Sequence, residues 1–313
     1  MAYKIGSFNM FKFSFQSDSE IRKDFTKLSR IIRDNRFDII ALQEVFSPNA
    51  LGRLLDYLGR FEWDGVWDSP TSFSSIAAEG YGFIWNKRRM RLAVTTLPDG
   101  TEKTFRPHIY NQYRVDRRLG QTQLIRNPYY ARFEPLDGSF CEIRLINTHI
   151  MFSKGNSQNQ LLDIGAVVMR KREFDILTQA LYNSIADKRY GNNRPAYTII
   201  LGDYNLNLRT SGAAGAYLNE IVMLEDQGHI KRLVTVQDKL TTLKADKSEN
   251  REPGFSFWAN NYDHFTYDMD RFSTVSALSS KIDTVKEYCN NDYKLHRKTV
   301  SDHVPIALNI NLK

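Results

Sequence analysis

Two cysteines in 313 residues, neither in a CxxC motif, leave no disulfide framework and no Cys/His cluster for a structural zinc. Cys141 and Cys289 are far apart and read as core thiols of a reducing compartment, with a single disulfide as the alternative. No apolar run approaches the roughly 20 residues of a membrane-spanning helix, so no membrane association is expected. The opening "MAYKIGSFNM" enters a strand pattern directly, without a basic stretch followed by a long apolar one. The expectation is therefore no secretory signal and a cytoplasmic protein. Repeats, low-complexity tracts and Pro/Gly/Ser-rich linkers are also missing, so residues 1–313 are expected to form one domain.

What the chain does have is apolar residues enough for a sizeable core and a net charge of +7. The charge is localised. Between Ile84 and Arg126 stand ten basic residues against three acidic ones, a difference of +7, so the remainder sums to neutral. A polyanionic partner suits such a window, and Phe105, Tyr110 and Tyr113 interleave it with rings for stacking. Residues 95–125 lack clear periodicity and read as an Arg/Tyr-rich insertion beside a site.

Helical and strand patterns are mixed. "YKIGSFNM" is a strand ending on Asn9; residues 17–35 form a helix opened by a Ser17-x-x-Glu20 capping box, with Phe25, Leu28 and Ile32 on one face. "FDIIALQEV" is a strand with Glu44 at its far end. Two hairpins follow, the second turned at Asp137-Gly138, then a long helix over residues 158–187 and the apolar strand "AYTIILGDYNLN". Short strands close the chain. Hairpins among helices predict mixed sheets.

The polar residues that matter all fall at ends of apolar strands: Asn9, Glu44, Glu79, His149, Asp203, Asn205, Asp263, Asp302 and His303. Each has a bland reading alone: Asn9 as a turn former, Glu44 as a solvated terminus, His149 as a satisfied core histidine. Together they make an oxygen-rich site suited to Mg²⁺ or Mn²⁺, with two histidines for proton transfer near neutral pH.

"SFNM", "ALQEV", "EGYGFIW", "INTHI", "LGDYNLN", "NNYDHFTYD" and "SDHVP", in this order, resemble the endonuclease/exonuclease/phosphatase superfamily, DNase I-like branch, from Asn9 to Pro305. The resemblance implies an α/β fold: a four-layer sandwich of two mixed β-sheets packed face to face and flanked by helices. It implies Glu44, Asn9 and Asp302 as metal-holding residues, and Asp203 and Asn205 as those that handle the water and the phosphate. His149 and His303 would contact the phosphate and share the acid–base work, oriented by Glu79 and Asp263. Arg126 joins Asn205 and His149 as a phosphate-binding residue. The implied activity is a metal-dependent nuclease acting by in-line water attack, on DNA ahead of RNA. The alternatives are a phosphatase or phospholipase C-type hydrolase of inositol phosphates or lipid head groups, and a non-catalytic binding protein.

Overall fold

The structure is a computed structural model that describes residues 2–14, 22–70, 79–115, 123–152, 160–191, 194–208, 221–226, 229–245, 256–272 and 275–312. In chain order its elements are β1 (Ala2–Phe13), α1 (Phe25–Asp34), β2 (Ile39–Val45), α2 (Pro48–Leu58), β3 (Trp63–Asp68), β4 (Gly80–Asn86), β5 (Met90–Leu92), β6 (Val94–Thr96), β7 (Glu102–Thr104), β8 (His108–Ile109), β9 (Tyr129–Pro135) and β10 (Glu142–His149). Then come α3 (Gln160–Asp175), a π-helical segment (Ile176–Leu181), α4 (Tyr182–Ala186), β11 (Ala196–Asp203), β12 (Val222–Asp226), β13 (His229–Val236), β14 (Asp263–Asp268), β15 (Val275–Lys281), α5 (Thr284–Cys289), α6 (Tyr293–Thr299) and β16 (Ile306–Leu312).

Two large sheets are built from these strands. One has the order β15-β16-β1-β2-β4-β3; the other runs β12-β13-β14-β11-β10-β9-β5, with β8 also paired to β9. Each holds one parallel pair, β1 with β2 and β10 with β11, among antiparallel neighbours, so both sheets are mixed.

Side chains alternate across a strand, and this parity explains both the core and the site. Tyr3 and Ile5 of β1, Ile39 and Ala41 of β2, Tyr81, Phe83 and Trp85 of β4, Ile143 and Leu145 of β10, Ile199 and Leu201 of β11, and Phe265 of β14 share one core cluster between the sheets. The same parity continues to Ser7 and Asn9, Gln43, Glu79, Asn147 and His149, Asp203, and Asp263. The inter-sheet row is thus apolar over most of its length and polar at one end. Between the two regimes lies a buried bolt: Gln43 Nε2 donates to Asn147 Oδ1 (2.7 Å) and to Ser7 Oγ (3.1 Å), while Asn147 Nδ2 donates to the Leu42 and Gly82 carbonyls. The outer faces are covered separately, by α1 and α2 on the first sheet and by the α3–α4 helical run on the second.

Several local expectations are revised. The expected capping box at Ser17 and Glu20 lies outside the described residues; α1 starts at Phe25, where Asp24 caps it by accepting from Lys27 N. β1 continues past Asn9 to Phe13 through a register shift. The helical run after His149 is not uniform, since Ile176–Leu181 is π-helical. Of the stretch 95–125, residues 95–115 and 123–125 are described, and β8 pairs there with β9: Phe105, Tyr113 and Val115 pack against the core beneath the α3–α4 run, and Tyr110 is 2% exposed with its hydroxyl on Ser184. Of these rings Tyr110 is core, while Phe105 and Tyr113 are half-buried. Both cysteines are free and buried, which removes the disulfide alternative. Among the described residues no helix is long and apolar enough to cross a membrane.

Candidate active site

Asp203 is the centre of the polar end. Its Oδ2 accepts from Asn9 Nδ2 (3.0 Å) and faces the Nε2 atoms of His149 and His303, at 3.5 Å and 3.6 Å. Its Oδ1 accepts from the backbone N–H of Asn205 (2.8 Å). Each imidazole has its own carboxylate behind it: His149 Nδ1 meets Glu79 Oε1 at 2.5 Å, and His303 Nδ1 meets Asp263 Oδ2 at 2.8 Å. Two carboxylate–imidazole pairs, one supported from β4 and one from β14, therefore converge on one oxygen.

The local backbone makes this convergence possible. β11 leaves its sheet through Gly202, at φ 145°, where an added Cβ would lie 1.9 Å from the Thr148 carbonyl oxygen. No side chain fits there, and parallel pairing with β10 at this point is what sets Asp203 beside His149. Asn205 follows at φ 50°, turning its amide to the Ile150 carbonyl (2.8 Å). Glu44 lies outside the inward parity of β2 and is brought to the site by its own positive φ of 55°, inside a register shift against β4. Ser301 holds the last loop: its hydroxyl donates to the Asn9 carbonyl (2.7 Å) and accepts from His303 N (3.1 Å).

Burial and neighbouring charge set the protonation states. Burial opposes a charge on His149, but Glu79 and then Asp203 outweigh it and raise its pKa to about 9. Burial likewise opposes a charge on His303, and Asp263 and Asp203 outweigh it, placing it well above the ordinary value. For Asp203 burial dominates; it lifts the carboxyl to about 6 against the pull of both imidazoles. Near neutral pH the site thus combines two imidazolium donors with an ionised carboxylate whose affinity for a proton is unusually high.

A second carboxylate group lies beside this one. Glu44 accepts from Asn9 Nδ2 (3.1 Å) and Lys12 N (2.9 Å), and Asp302 faces Arg297 at 3.4 Å. Burial raises the Asp302 pKa, and Glu44 adds to the rise, which places the two carboxylates in each other's field. Asp302 Oδ1 is buried with no hydrogen-bond partner. An orphaned Asp302 oxygen in the field of a second carboxylate fits a hard divalent cation held by two carboxylates, water and a phosphate, the usual manner of Mg²⁺. Among the described residues no group of three His, Cys, Asp or Glu side chains could hold a metal ion, so the fit rests on that two-carboxylate manner. Asn9 turns its amide N–H groups to Glu44 and Asp203, while its Oδ1 accepts from Phe11 N (2.9 Å).

Arg126 reaches the site, yet its guanidinium is paired with Glu79 (2.9 Å) and touches His149 Nδ1. It stiffens that pair. Among the described residues the rest of the basic window does not line the cleft: Lys87, Arg88 and Arg89 follow the opposite end of β4, roughly 20 Å away by strand rise, and Arg88 and Arg89 are engaged by Glu62 and Asp38. The physical reason is that a strand hairpin puts its turn at the far end of the sheet from the residues that start it. Arg117 and Arg118 lie outside the described residues. His264, adjacent to Asp263, points away; it is buried with its ring nitrogens on the Gln237 and Leu206 carbonyls.

Sequence reasoning missed several supports. Tyr81 accepts from His149 N (3.1 Å), Arg170 donates to the Asn205 carbonyl (2.8 Å), and the buried Lys23 donates to the Val300 carbonyl (2.7 Å). Burial lowers the Lys23 pKa to about 7, against the pull of Asp302 and Glu44. Tyr81 stood inside "EGYGF" at the inward parity and was readable there; Arg170 and Lys23 arrive from segments without a motif. The cleft above these groups measures about 540 Å³, and Phe46, Phe152, Tyr262 and Leu243 form its apolar walls.

Two mixed sheets with a carboxylate–imidazole site at their common polar end define a phosphoric ester hydrolase fold. The chain belongs to the endonuclease/exonuclease/phosphatase family, whose model matches residues 6–303. Among curated proteins none matches. Solved structures share the fold at low identity. ANGEL2, a 2′,3′-cyclic phosphatase, is 14% identical with a TM-score of 0.58, over 99% of this chain and 95% of that one. A functionally unknown conserved protein from Enterococcus faecalis V583 is 12% identical with a TM-score of 0.54, over 99% and 100%. An endonuclease/exonuclease/phosphatase family protein from Leptotrichia buccalis C-1013-b is 16% identical with a TM-score of 0.52, over 99% and 100%.

Proposed function

We propose that residues 1–313 form one catalytic domain, a divalent-metal-dependent phosphodiesterase that hydrolyses nucleic acid. The observation that carries this reading is the placement of Asp203 Oδ2 between two imidazole Nε2 atoms, at 3.5 Å and 3.6 Å, each backed by its own carboxylate. That geometry suits a water held by a base and a phosphate held by two cations. Asp203 takes the proton of a water as its oxygen bonds to phosphorus; the bond to the leaving oxygen breaks, and one imidazolium supplies the proton that oxygen needs. The other imidazolium stays on the phosphate oxygens, where charge accumulates. Asn205 orients Asp203 and the phosphate. Glu44 and Asp302 would hold Mg²⁺ or Mn²⁺, which would add positive charge for the phosphate. The apolar walls of the cleft favour a diester, which carries an organic group on both sides of its phosphorus.

The test is digestion of single- and double-stranded DNA and RNA with Mg²⁺ or Mn²⁺, with chelator and with His149→Ala and His303→Ala. Cleavage that needs metal and both histidines is expected. A nucleoside 2′,3′-cyclic phosphate and an inositol phosphate serve as small-substrate arms. Release of phosphate from either, with no polymer cleaved, would overturn the nuclease reading while leaving the hydrolytic site in place.

A further inference from the structure

Beside the cleft lies a second concavity of about 630 Å³, between α1, α2 and α6. Arg22, Lys23, Arg53 and Lys298 line it, against Asp24, whose carboxylate is used as the α1 cap. Its aromatic part is a tilted pair: Phe25 and Tyr57 have centroids 5.9 Å apart and planes at 33°, and the Arg53 guanidinium lies over both, at 5.4 Å and 5.9 Å. Tyr57 is 41% exposed.

This groove and the catalytic cleft share a wall. The Phe11 ring is ringed by Lys12 at 5.6 Å, Lys23 at 5.7 Å and Arg297 at 5.5 Å; Lys12 lines the cleft, Lys23 lines the groove, and Arg297 reaches on to Asp302. Phe11 and Lys12 hold this place with consecutive positive φ angles of 43° and 52°. Basic side chains therefore continue from the proposed metal site, around one ring, into the slot, with Lys23 buried on the Val300 carbonyl at the junction.

We infer that the groove is the second anchor for a single-stranded nucleic acid whose scissile phosphate occupies the cleft, an inference that rests on the proposed nuclease reading. Arg22, Arg53 and Lys298 give a sequence-independent hold on a phosphate backbone, and the exposed Tyr57 ring gives a base a face to stack on. Concavity favours a strand over a lipid surface, which would need the apolar groups to protrude. The slot adds basic residues beside the chemistry to the one that the described part of the Ile84 to Arg126 window brings there, Arg126.

The experiment is fluorescence anisotropy of a labelled single-stranded oligonucleotide of about 15 nucleotides, in chelator so that binding is read without cleavage. The double variant Arg53→Glu/Lys298→Glu is expected to bind about 10-fold more weakly at low salt and to show a shallower dependence on salt. Lys87→Glu, at the opposite end and beyond a Debye length, is expected to bind as the unaltered protein does. Equal affinity for the double variant, with its circular dichroism unchanged, would overturn the inference, as would an equal loss in the Lys87→Glu control. So would loss of binding to phosphatidylserine vesicles with oligonucleotide affinity retained. Failure of the nuclease reading shows separately, as absence of metal-dependent cleavage of the same oligonucleotide.

Discussion

The sandwich buries charge at both ends of the same strands, and treats it oppositely. At the start of β10 and across on β9, Arg132, Glu142 and Arg144 form a closed cluster: Glu142 Oε2 accepts from Arg132 (2.5 Å), its Oε1 accepts from Arg144, and Arg144 continues to the carbonyls of Ile185, Ala186 and Lys188 at the end of α4. Tyr190 lies 3.5 Å beneath the Arg132 guanidinium, and Glu134 is held by Arg91 and Arg194. Every oxygen of these two glutamates meets a cation. At the other end, about seven residues along β10, Asp263 Oδ1 and Asp302 Oδ1 are buried with no partner, and Asp203 carries a raised pKa. The lesson is that buried charge alone marks nothing. A carboxylate cluster left short of donors in an open cleft marks chemistry, and one fully matched marks architecture.

Five measurements would break or sharpen that contrast. The largest effect is expected for Asp203→Asn: kcat for a metal-dependent diester substrate should fall by about 10³-fold or more, with thermal stability kept or raised, since a costly buried charge is removed. Loss of stability with kcat retained would make Asp203 architectural. Glu142→Gln should do the reverse, lowering unfolding free energy by about 3 kcal/mol or more in urea titration while the folded fraction keeps its kcat, because two buried guanidinium groups lose their counter-charge. A smaller signal is the pH profile. Asp203 at about 6 and His149 at about 9 predict activity that rises tenfold per unit below the first value and falls above the second, read as log kcat against pH in the unaltered protein. The same shift has a stability sign. Because the folded pKa of His149 lies above the ordinary 6.5, its contribution is complete below 6.5 and is lost as pH climbs through about 9, which melting curves in chelator would read. The smallest effect is metal-linked: saturating Mg²⁺ should raise the melting temperature by a few degrees, and Asp302→Asn should abolish that rise.

Much of this was legible in the chain, for one reason. A strand of period two announces which residues share a face, so Asn9, Glu79, His149, Asp203 and Asp263 could be placed at strand ends without coordinates. Glu44 obeyed a different rule, since only a positive φ turns it inward, and a residue type does not disclose that. The basic window misled because net charge along a sequence says nothing about which end of a hairpin carries it. Phe105, Tyr110 and Tyr113 looked like stacking rings, but an aromatic side chain in an aperiodic stretch is equally ready to fill a core. Lys23 and Arg170, which steady the site, came from helical surroundings where such residues are ordinary.

The bolt of Gln43 and Asn147 also bears on time. Asn9 and Asp203, which share a hydrogen bond, are 194 residues apart, and the Ser301 hydroxyl closes onto Asn9 across 292. The first contact forms only when the two sheets have docked and the second only when the last strand has joined β1, so strands and helices can be in place while the polar end is still open. On dilution from denaturant, activity should return later than secondary structure does: a chain of this design spends its first moments folded in outline and chemically silent.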